Sequence, residues 1–203
     1  MFSENEIATM IDIPEIQELT SKVKNDFITQ EVNFLEISDH DFLSLVMLSP
    51  AVGVALANGS ISLFEELALN KMARKMSKGG YFLKTDPVAH AMKYVIKNFS
   101  KWEPIFFDVV VFCMDSTIDR NSLMEIDGKD LGDPIKDFAR DLMTVPYIFV
   151  RFLSTMVLND ESDIVEHRSI SKVEFEKIKD IGVQLKIAET PVFKSFCGTF
   201  EVK

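Results

Sequence analysis

The sequence predicts an all-α protein, a compact array of about eight to ten helices with a C-terminal segment that could be extended. Two patterns carry the prediction. All seven prolines (Pro14, Pro50, Pro87, Pro104, Pro134, Pro146, Pro191) stand where a helix would begin. There the missing N–H has no intrahelical partner to lose. Between them, apolar residues recur at three- and four-residue steps, the spacing of a helix with one buried face.

Taken in order, Pro14 opens a helix to about Phe27, with Ile13, Ile16, Leu19, Val23 and Phe27 on one side. Ser38 and Asp41 suggest a cap before the apolar run Phe42–Leu48, and Pro50 starts a short piece whose Gly53 suggests close helix contact. Asn58-Gly59 marks a turn. Ser60 then caps a helix over 61–76, with Ile61, Phe64, Leu67, Ala68 and Met72 expected inward and Gly79-Gly80 ending it. Asp86-Pro87 caps the next, running to about Phe99. Pro104 opens the most apolar stretch, 105–114, read as a buried helix; its valines leave a buried strand open. Residues 115–132 read as a loop without the ligand spacing of a calcium site. Helices follow from Pro134 to about Met143, from Pro146 to Leu158, and from the capping pair Ser171 and Glu174 onward. An acidic loop, 159–163, lies before the last of these. Pro191 opens a final short element, and the 192–202 tail could instead be extended. No repeat or low-complexity linker interrupts the chain, so residues 1–203 are read as one helical domain.

At 47% hydrophobic and 27% charged residues, the chain has a globular composition rather than a disordered one. Its first residues, Met1-Phe2-Ser3-Glu4-Asn5-Glu6, are polar and acidic, unlike a secretory leader. No apolar run reaches the ~18–20 residues of a membrane span. A cytoplasmic protein is expected. Cys113 and Cys197 lie far apart, and Cys113 sits in an apolar run, so neither a disulfide nor a redox pair is expected.

Charge is uneven. Residues 1–70 carry two lysines against twelve acids, a net of −10. Residues 71–101 carry eight bases against Asp86 alone, a net of +7. Residues 102–203 carry twelve bases and nineteen acids, a net of −7. The overall −10 disfavours nucleic acid as a general partner. Within the basic segment Lys71, Arg74, Lys75 and Lys78 share one helix face, and Lys93, Lys97 and Lys101 share another; Tyr81 and Phe82 lie between. Such a patch suits a phosphate, an anionic head group or an acidic partner. The simpler account, which the pattern favours, is that these cations offset helix C-terminal dipoles and neighbouring acids.

Three residues invite chemistry. Asp108 and Arg151 are each a lone charge in an apolar element, expected to pair with each other or to line a pocket. His90, on the helix after Pro87, sits in the place of a proximal haem ligand only by broad architecture, and no cofactor or metal is predicted. Seventeen phenylalanines and ten methionines serve a core, or the lining of an apolar cavity. No nucleotide, zinc or hydrolase motif is present. The expected role is therefore a non-catalytic helical protein that binds or regulates a protein partner, or itself as a homodimer. The alternatives are a binder of a small apolar or anionic ligand, with the basic segment at the pocket mouth, and an enzyme of no identifiable type.

Overall fold

The computed structural model describes residues 1–79, 86–125, 131–158 and 164–203. Expectations that fall on 80–85, 126–130 and 159–163 (Tyr81, Phe82, Lys84, the Asp127–Asp130 run and the acidic loop) lie outside them. The described chain is mostly helical, with eleven α-helices and one two-stranded sheet. In order these are α1 (Glu4–Ile11), α2 (Pro14–Glu31), α3 (Asp39–Met47), α4 (Ser49–Ala55), α5 (Leu63–Met76), α6 (Pro87–Lys97), α7 (Phe99–Thr117), α8 (Pro134–Leu142), α9 (Tyr147–Ser154), β1 (Arg168–Ile170), α10 (Lys172–Gln184), α11 (Pro191–Gly198) and β2 (Phe200–Val202).

The centre of the molecule is α3 with α4. Residues 40–47 and all of α4 are buried, because the run from Phe42 to Ala57 offers almost no polar face to solvent. A helix apolar all round is stable only when neighbours surround it. Helices α1, α2, α5, α6 and α7 all pack against α3, and α4 lies between α7 and α10. Phe27, Phe42, Trp102 and Phe106 form an aromatic knot where α2, α3 and α7 meet, with ring centroids 5.0–6.1 Å apart. The rings meet tilted or edge-on, and none is stacked as a face-to-face sandwich. Helices α8 and α11 pack against each other through Phe138 and Phe196.

Four expectations are corrected. An unforeseen helix, α1, is fixed by a capping box in which Ser3 and Glu6 each accept the other's backbone N–H. It takes the helix count past ten. Pro104 does not open a helix; it lies inside α7. Its missing N–H leaves the Ser100 carbonyl without its helical donor, and both residues are exposed, so water can serve that carbonyl. Residues 105–114 are helical, as read, and the strand alternative falls. Ser62, not Ser60, caps α5. Lastly, α5 is turned: Leu69, Met72, Ala73 and Met76 face inward, and Phe64 and Leu67 face outward. The tail is part helix and part extended, with β2 pairing in parallel with β1 in the register Arg168–Phe200, Ser169–Glu201 and Ile170–Val202.

Candidate functional site

The orientation of α5 creates the most conspicuous surface. At its start, Ser62 accepts the Glu65 backbone N–H at 3.3 Å, and Glu65 accepts the Ser62 backbone N–H at 2.7 Å. Glu65 and Glu66 lie at the positive end of the helix dipole, with Arg74 and Lys75 at the negative end, the favourable placement for both signs. The far end is clamped from below by α3. Ser44 donates its hydroxyl to the Met76 carbonyl at 3.0 Å, and the buried Asp41 carboxylate accepts the Lys78 backbone N–H at 2.9 Å. His40 lies against the same carboxylate at 3.3 Å and reaches the Glu4 carbonyl of α1 at 3.1 Å. Buried polar groups that are all bonded hold a segment in one position. The outward face of α5 is therefore presented rigidly.

That face has two halves. Leu63, Phe64 and Leu67 are 69%, 83% and 56% exposed. One to two turns on, the same face carries exposed Lys71, Arg74 and Lys75. At 3.6 residues per turn these six side chains fall within about a third of the helix circumference. A concavity of about 510 Å³ runs beside them, lined by Leu67, Asn70, Lys71, Arg74 and Lys75. Arg74 donates to Asp86 at 2.8 Å, tying α5 to the N-cap of α6. Lys78 is exposed but beyond the helix, after the extended Ser77, so it does not continue the stripe by helical periodicity as expected.

The second basic cluster is placed differently. Lys93 and Lys97 are exposed on α6. Lys101, on α7, forms an ion pair with Glu31. Asn98 and Trp102 also donate to Glu31, at 2.6 and 2.9 Å. The Lys101 bond, helped by Trp102 and opposed by burial, holds the Glu31 carboxyl below the usual range.

No hydrogen bond or ion pair joins the three chemically suggestive residues. Asp108 is exposed on α7. Arg151 instead bonds Glu6 at 3.0 Å and stacks over the Tyr147 ring at 4.5 Å. The expected Asp108–Arg151 pair is not formed, since Arg151 is already neutralised by a residue of α1. Burial raises the Glu6 carboxyl, but bonds from Ser3 and Arg151 outweigh it and leave the group below its ordinary value. His90 is half-buried between the Phe34 and Tyr94 rings, at 6.1 and 5.5 Å.

A second concavity, about 310 Å³, lies between α4, α9, α10 and the sheet. Val54, Met156, Val157, Leu158, Ile178 and Phe200 line it, with Glu166, Arg168 and Glu174 among its polar groups. Burial pushes the Cys113 and Cys197 thiols up to about 12, so both stay protonated at neutral pH and are poor nucleophiles. Among the described residues no group of three or more His, Cys, Asp and Glu side chains could hold a metal ion, and no helix is long and apolar enough to cross a membrane. No known protein family, curated protein or solved structure matches the chain.

Proposed function

We propose that the protein is a non-catalytic helical module that binds a protein partner through the outward face of α5. The observation that supports this reading is the exposure of Leu63, Phe64 and Leu67 in one cluster on a rigid helix. Exposed large apolar residues are ordinary when scattered; grouped on one helix face beside a cluster of cations, they mark interaction sites. Four turns of helix would supply aromatic and aliphatic anchors at one end and cations at the other, the mix of a protein interface rather than a catalytic centre.

Site-specific photocrosslinking tests the reading. In Phe64→p-benzoylphenylalanine, expressed in the source cells, a discrete adduct of defined mass should form on irradiation. The same probe replacing exposed Gln17 on α2 should give none. Equal labelling at both positions, or none at either, contradicts a docking role for α5.

A second reading, a small amphipathic ligand, is favoured by the concavity between α4, α9 and α10. Native mass spectrometry of the purified protein decides it. A retained mass beyond that of the chain would support that reading, and a bare chain would remove it.

A further inference from the structure

Resting on the docking reading of α5, we infer that the partner segment is an acidic amphipathic helix whose apolar residues meet Leu63, Phe64 and Leu67 and whose carboxylates meet Lys71, Arg74 and Lys75. The order of these groups along α5 is the basis. Apolar and basic residues share one face but occupy successive halves of the helix, with Phe64 and Lys75 about 16 Å apart along the axis. A partner must match that sequence of properties over about three turns. A helix lying alongside α5 does so with one of its own faces, packed against the outward face of α5.

Charge sets the sign of the partner. Lys71, Arg74 and Lys75 all border the concavity, and a segment seated there places its side chains among them. Arg74 is already held by Asp86, and Lys71 and Lys75 have contacts within the chain. All three cations are exposed, and carboxylates arriving there add to the interactions they already make. A basic segment would meet repulsion along half of its length.

Long-range charge favours a peptide over a bilayer. Helix α1, with Glu4 exposed at its start, packs against α5. The chain carries a net charge of −10. A planar anionic surface would feel these acids as well as the stripe, whereas a single helix covers the stripe alone. A second copy docked α5 against α5 is a poorer fit, because it would present more cations rather than carboxylates.

The test uses the full chain and a synthetic stapled helix of about 18 residues, long enough to span the stripe. The peptide bears leucines along one face of its first half and glutamates continuing that face in its second. Its twin replaces each glutamate with lysine. The acidic peptide should bind with a dissociation constant of about 1–100 μM, shift the amide resonances of residues 63–78, and weaken severalfold between about 50 and 300 mM salt. Phe64→Ala should weaken it about tenfold. In the double variant Lys71→Glu with Lys75→Glu the preference should reverse toward the lysine twin, with unchanged circular dichroism showing that the fold is kept.

Equal binding of the two peptides, or binding of neither below about 1 mM, overturns the inference. So does binding instead to phosphatidylserine vesicles in a Phe64-dependent manner, or a concentration-dependent dimer that Phe64→Ala abolishes. If the peptides fail while the crosslink at position 64 persists, the docking face stands and only its assigned partner chemistry falls.

Discussion

Replacing Glu31 with alanine should destabilise the protein by about 2–4 kcal/mol, measured by urea denaturation at neutral pH. Glu31 ends α2 and receives three donors from the start of α7: the Asn98 amide, the Lys101 ammonium and the Trp102 indole N–H. Its side chain is 9% exposed. Lys101 can turn to water after the truncation. Trp102, 1% exposed and wedged against Phe27 and Phe106, cannot. Its N–H would be left buried without an acceptor, and that loss dominates the cost.

Glu31→Gln separates the charge from the shape. Because the folded carboxyl is held below its ordinary value, chiefly by Lys101, the charge stabilises the fold fully above the unfolded glutamate range, near pH 4.3. The stabilisation is lost as pH falls through the lower, folded value. The stability gap between the natural protein and Glu31→Gln should be constant from about pH 7 to 5 and close below about pH 4. A gap unchanged down to pH 3 would show that the carboxylate charge is not what binds α2 to α7.

Gly182→Ala should cost about 1–3 kcal/mol, although alanine is the better helix former by about 1 kcal/mol. A Cβ at position 182 would stand 2.2 Å from Cζ and 2.4 Å from Cε1 of Phe193. Phe193 is 3% exposed and packs against Phe196, so its ring has little room to retreat. The absent methyl is what lets α11 approach α10. A double-mutant cycle in urea checks the cause: in Phe193→Leu the penalty of Gly182→Ala should largely vanish. If Gly182→Ala stabilises the natural protein, the close approach does not exist.

Much of the helix plan was legible because its signals are local. Pro14, Pro87, Pro134 and Pro191 occupy the first helical positions expected of them, and Ser171 with Glu174 forms its capping box. Gly53 has the close contacts its size suggested, beside Lys177, Ile181 and Phe99. Pro104 misled because a proline early in a helix and a proline at its first residue look alike in sequence. β1 and β2 were illegible as a pair: three-residue strands some thirty positions apart carry no periodicity, and their pairing depends on α10 and α11 bringing them together.

The outward turn of Phe64 and Leu67 was missed for a sharper reason. Two apolar stripes compete on α5, one through Ile61, Phe64, Leu67, Ala68 and Met72 and one through Leu69, Met72, Ala73 and Met76. Either satisfies three- and four-residue spacing. The basic residues decide between them, because Lys71, Arg74 and Lys75 share the angular sector of Phe64 and Leu67. Burying Phe64 and Leu67 would have drawn those cations toward the core at a prohibitive desolvation cost. Asp108, Arg151 and His90 drew attention as polar residues in apolar runs. The partner that satisfies Arg151, Glu6, comes from α1, a helix that no sustained apolar periodicity signals.

The central claim is that α5 offers Phe64 and Leu67 to a partner rather than to the core. The most direct measurement is the urea stability of the double variant Phe64→Ser with Leu67→Ser. Exposed residues outside the packing should change it by no more than about 0.5 kcal/mol each, with the crosslink then lost when the photoprobe is moved to Leu63. A loss of about 4 kcal/mol or more would mean that both side chains are core residues, and α5 would have no face to offer.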